Sequence, residues 1–138
     1  MPKLIKGARI PIFGHAKHTV FECNSSAYID VPDTYSAAFN EEGRGSYRIE
    51  VVWATDHNRS IALRMFDPAN PQSPPNWEFE FKGGDAPNTW WNFATTNVFG
   101  PGDDPWPRQN TLQMKTLDGS QAFLGSVVIV VEDFTPKR

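Results

Sequence analysis

The sequence predicts an all-β domain, a β-sandwich of jelly-roll type with about eight or nine short antiparallel strands. Three observations carry that expectation. Apolar and polar residues alternate with period two in segment after segment. Only one short stretch could form a helical turn. Twelve Pro and ten Gly punctuate the chain at short intervals. A β-barrel made of the same strands is the alternative, because alternation fixes which face of a strand is apolar but not whether a sheet closes.

The early strands are short: Arg9–Phe13, His18–Cys23 and Ala27–Val31. Thr34–Glu42, preceded by Pro32-Asp33, is the one stretch that suits a helical turn or two. Ser46–Ala54 (SYRIEVVWA) sets Tyr47, Ile49, Val51 and Trp53 on one face, and Ser60–Phe66 sets Ile61, Leu63 and Met65 on one face. The five polar residues Thr55–Arg59 between them predict a β-hairpin.

Trp77–Lys82 (WEFEFK) alternates most sharply, with Trp77, Phe79 and Phe81 opposite Glu78, Glu80 and Lys82. The segment before it, Asp67–Asn76, holds four prolines, which lack amide donors and exclude both helix and ladder pairing. Thr89–Thr95, Thr111–Thr116 and Ala122–Phe134 read as the last strands, and Asp118-Gly119 suits a tight hairpin between the final two. Val127–Val131 is apolar on both faces, as in a central strand covered on each side or one closing a subunit interface.

A length of 138 residues fits one domain spanning 1–138. Such a chain buries roughly 65–70% of its unfolded surface, enough for a core without metal or disulfide staples. Cys23 is the single cysteine, so an intrachain disulfide is excluded. The first residues contain Lys3, Lys6 and Arg9 without a continuous apolar run, unlike a secretory signal, and no segment has the length of a transmembrane helix. The chain as given reads as soluble, and its compartment is not legible.

Thirteen basic and sixteen acidic residues give a formal charge of −3. The charges are interspersed, whereas nucleic-acid binding calls for a concentrated basic face. Nucleotide-binding glycine loops, an HExxH motif and a GxSxG elbow are all missing from the sequence. His15 and His18 are three apart, which on a strand sends them to opposite faces, and His57 follows Asp56. Glu78 and Glu80 share a strand face about 6.6–6.8 Å apart, within the range of glycosidase carboxyls, but alternate acids opposite an aromatic stripe are also what a solvent-facing strand presents. No enzyme is expected.

Chemistry of recognition concentrates in Gly83–Phe93 (GGDAPNTWWNF) and Phe99–Asn110 (FGPGDDPWPRQN). Glycines allow unusual backbone shapes there and prolines stiffen them. The resulting rim offers Asp85, Asn88, Trp91, Asp103, Asp104, Trp106, Arg108 and Asn110. Indole faces beside carboxylates, amides and a guanidinium suit a sugar: its apolar face stacks on a ring while fixed polar groups satisfy its hydroxyls. The plainer reading is that Trp90 and Trp106 plug the end of the sandwich and the acids are surface charge.

Asp85, Asp103 and Asp104 could hold Ca²⁺, although the spacing of a calcium loop is missing and no cofactor is expected. The function these residues predict is a non-enzymatic, lectin-like module binding carbohydrate or another small polar ligand. A structural or oligomerising interaction protein is the alternative, and a membrane-interacting β protein using Trp90, Trp91 and Trp106 a further one.

Overall fold

Alternating sequences bury their apolar faces by packing the sheet against another layer, and this chain stacks one sheet on another. The computed structural model describes residues 5–14, 20–32, 43–55, 59–67, 69–72, 77–82, 90–98 and 111–136. Its strands are β1 (Arg9–Phe13), β2 (Phe21–Cys23), β3 (Ile29–Asp30), β4 (Gly43–Thr55), β5 (Ser60–Phe66), β6 (Trp77–Lys82), β7 (Trp90–Thr95), β8 (Thr111–Thr116) and β9 (Ala122–Pro136). The first sheet runs β1-β9-β4-β7, with β2 also on β9, and the second runs β3-β8-β5-β6. Every pairing is antiparallel.

The pairs β2·β9, β3·β8, β4·β7 and β5·β6 nest inside one another in sequence. That nesting is a long antiparallel ribbon folded over on itself, which is the jelly-roll plan. Successive pairs of the ribbon therefore alternate between sheets, and this overturns two local expectations. β4 and β5 are not a hairpin: β4 pairs with β7 and β9, while β5 pairs with β6 and β8. Nor does Asp118-Gly119 join a hairpin, since β8 and β9 lie in different sheets. The turn chemistry itself is real, because Gly119 has φ +78° and Asp118 Oδ1 accepts the Ser120 amide at 3.0 Å. Short polar turns satisfy a crossing between sheets as readily as a hairpin.

The core lies between the sheets. β4 contributes Tyr47, Ile49, Val51 and Trp53, β9 contributes Leu124, Val127, Ile129 and Val131, and β5 and β8 contribute Ile61, Leu63, Met65, Leu112 and Met114. Ile12 and Phe13 are adjacent yet both buried, because the β1·β9 register shifts between Pro11 and Phe13. Cys23 is fully buried in the same cluster, and burial raises its thiol pKa, so it is a packing residue.

β9 is the central strand its doubly apolar run predicts. On the outer face of the first sheet Val130 is still buried, flanked in register by Arg9 and Arg48. Their ion pairs with Glu50 and Glu132 hold the two guanidinium stems over it. The bonding from Arg9, reinforced by Arg48, keeps the Glu50 carboxyl below its usual range although burial opposes this. A depressed folded pKa means stability that is present above the unfolded value near 4.5 and lost as pH falls through the folded one. We therefore expect Glu50→Gln to destabilise the protein by about 1 kcal/mol or less at neutral pH. The difference from the parent should shrink as pH falls below about 4.5, as measured by urea denaturation at neutral and at acid pH.

Thr34–Glu42, His15, His18 and His57 lie outside the described residues.

Candidate functional site

The outer face of the second sheet is built from residues that alternate with the core positions. On β5 these are Ser60, Ala62, Arg64 and Phe66; opposite them stand Glu78, Glu80 and Lys82 of β6 and Thr111, Gln113 and Lys115 of β8. Two rows matter. Asp30, Gln113, Arg64 and Glu78 form one, and the neighbouring row passes through Lys115, Ala62 and Glu80, with Tyr28 at its end.

The first row is locked end to end. Gln113 donates to Asp30 Oδ1 at 2.8 Å and accepts from Arg64 Nε at 2.7 Å. Arg64 reaches Glu78 at 4.0 Å and lies over the Tyr28 ring, 4.0 Å from its centroid; Lys115 Nζ lies 4.7 Å from the same centroid. The Tyr28 hydroxyl donates to Glu78, and burial first, then this bond, pushes its pKa well above the ordinary phenol value. No single contact here is strong, since exposed ion pairs contribute about 0–1 kcal/mol. Together they fix six side chains from β3, β5, β6, β8 and the residue before β3.

Ala62 lacks the length of its neighbours, so the second row dips. The result is a depression of about 260 Å³ lined by Tyr28, Ala62, Glu78, Phe79, Glu80, Lys115 and Leu117. It offers two carboxylates, an ammonium and a phenol around an apolar floor. Leu117 is 45% exposed at its margin, available to an apolar ligand surface.

A second cleft, of about 350 Å³, lies where the edge strands of the two sheets approach; Phe79, Glu80, Phe81, Thr95, Thr96, Asn97 and Val98 line it. Thr96 is held in place by its amide bonding to Ile49 O and its hydroxyl accepting the Ile49 amide, both at 2.9 Å. Phe81 packs on the buried Trp53, with ring centroids 5.7 Å apart.

Of the residues expected to form a binding rim, Asp85, Asn88, Asp103, Asp104, Trp106, Arg108 and Asn110 lie outside the described residues, as does the side chain of Trp91. The Trp91 backbone pairs with Ala54 in β7. The depression on the second sheet was not singled out by sequence, except that Glu78 and Glu80 stood out as a same-face pair. Among the described residues no group of three or more His, Cys, Asp or Glu is arranged to hold a metal ion.

No known family profile matches the chain, and no curated protein matches it. Among solved structures it is similar to a carbohydrate-binding module (CBM6cm-2) from Cellvibrio mixtus lichenase 5A in complex with cellotriose. The TM-score is 0.46 at 16% identity, over 91% of this chain and 98% of that one.

Proposed function

We propose that this protein is a non-catalytic carbohydrate-binding module that takes a sugar in the depression floored by Ala62. The observation that carries the reading is the ring of polar groups held around an apolar floor, with Glu78, Glu80, Lys115 and the Tyr28 phenol on its wall. A pyranose presents a small apolar face and a belt of hydroxyls, and such a ring supplies acceptors and donors for that belt without leaving buried hydroxyls unpartnered. The locked row Asp30–Gln113–Arg64–Glu78 supports it further, because side chains already ordered lose little entropy when ligand arrives.

Absence of catalysis is supported by placement. Glu78 and Glu80 both project from β6 on one face, so they meet a ligand from the same side. Hydrolysis of a glycosidic bond needs carboxyls on both flanks of that bond. The expected rim, Asp85, Asn88, Trp91, Asp103, Asp104, Trp106, Arg108 and Asn110, is proposed as an additional set of contacts.

A glycan array with and without calcium, followed by calorimetry on the best ligand, tests the reading. Ala62→Leu raises the floor into the depression and should weaken binding at least about tenfold, equivalent to about 1.4 kcal/mol, with the fold retained. Trp106→Ala tests the rim in the same assay. An array without a single binder would overturn the proposal; loss in Trp106→Ala but not Ala62→Leu would move the site to the rim.

A further inference from the structure

The two clefts share a wall. Phe79 and Glu80 of β6 line both the depression on the second sheet and the cleft at the sandwich edge. β6 ends its sheet, pairing with β5 on one side and with no other strand among the described residues. The far side of the edge cleft is rigid, because Thr96 is tied to β4 twice, and it exposes Asn97 and Val98, an amide beside an apolar surface 53% exposed.

We propose that depression and edge cleft are two subsites of one groove crossing β6, and that its ligand is an oligosaccharide chain rather than a single sugar. The inference rests on the sugar-binding reading and adds a ligand class to it. One sugar unit sits over Ala62 against Glu80 and Lys115. A neighbouring unit passes the edge of β6 into the space between Phe79 and Val98. Both clefts repeat one pattern, apolar surface beside carboxylate and amide or ammonium, as successive like units of a polymer require. Linked units gain because the second binds at the high effective concentration set by the first.

The test is a calorimetric ladder of gluco-, xylo- and manno-oligosaccharides from monosaccharide to hexasaccharide, on the full chain and on the double variant Asn97→Ala/Val98→Ala. Neither residue is buried, so the variant should fold as the parent does. Affinity should rise about tenfold or more between the monosaccharide and the trisaccharide and then level off. The double variant should remove most of that rise while leaving the monosaccharide affinity unchanged. Equal affinity for all lengths, or a length dependence untouched by the double variant, overturns the two-subsite groove and leaves the sugar-binding reading standing. No binding at any length, in any of the three series, overturns both.

Discussion

Gly14→Ala should be among the most destabilising single-methyl changes in this protein, lowering the unfolding free energy by roughly 2–5 kcal/mol. Two penalties combine. Gly14 has φ +76°, in the left-handed region, where an L-residue with a Cβ loses about 1–2 kcal/mol. Its added Cβ would also lie 2.3 Å from Gly125 O and 3.1 Å from Ser126 Cα. These are backbone atoms and cannot swing away as a flexible side chain would. Gly125 sits where the β4·β9 register shifts, since Val52 pairs with Ser126 and Trp53 with Leu124. The end of β1 presses into that bulge, between the stretch of β9 that pairs with β1 and the stretch that pairs with β2.

Gly119 separates the two penalties. Its φ of +78° nearly equals that of Gly14, but nothing lies within 4 Å of where its Cβ would stand. Gly119→Ala should therefore show the backbone term alone, about 1–2 kcal/mol, and the remainder in Gly14→Ala is the steric term. Guanidinium denaturation of the two variants side by side measures this directly. Equal losses would mean that β9 yields at Gly125, and that the close approach is not a constraint on the fold.

The strands were legible because each is a local pattern. Arg9–Phe13, Ser60–Phe66, Trp77–Lys82 and Thr111–Thr116 have the bounds that alternation gives them. Partner choice was not local. Thr55–Arg59 and Asp118-Gly119 have the composition of hairpin turns, but so does any short polar connection. What decides is that Tyr47–Trp53 and Ile61–Met65 present their apolar residues to each other across the core. Two such faces can both be buried either side by side under a third layer or stacked, and stacking is the solution found.

The site was less legible for the same reason. Glu78 and Glu80 read as a solvent-facing strand surface, and they are exposed. What makes them walls is Ala62 beside them, Lys115 beyond it and Tyr28 at the end of the row, residues far apart in the chain whose meeting depends on the register of three strand pairs. Beyond the same-face pair Glu78 and Glu80, the trace of the depression in the sequence is a small residue in the centre of an outward strand row, and it becomes a signal only once the neighbours in that row are known. The aromatic and Gly/Pro-rich segments are legible because their composition is local too.

Trp53→Ala should destabilise the protein by about 3–5 kcal/mol, the range for deleting a large aromatic side chain from a packed core. Trp53 is among the largest fully buried side chains, 1% exposed, on the strand that joins β7 to β9. Trp53→Phe gives the more informative comparison. The indole N–H has no hydrogen-bond partner among the described residues, and a buried donor left unmade costs about 1–3 kcal/mol. Phenylalanine removes that donor together with part of the volume, so its net loss should be near 1 kcal/mol or below, well under half that of the alanine variant. A phenylalanine variant as unstable as the alanine one would show instead that the N–H is satisfied, for instance by a buried water. The pair also bears on ligand binding. Trp53 backs Phe81, a wall of the edge cleft, at 5.7 Å between ring centroids. Emptying the space behind that wall lets it recede, whereas a phenyl ring keeps it supported. Trp53→Ala should therefore weaken an oligosaccharide more than a monosaccharide even where enough protein remains folded to measure, and Trp53→Phe should leave their ratio close to that of the parent.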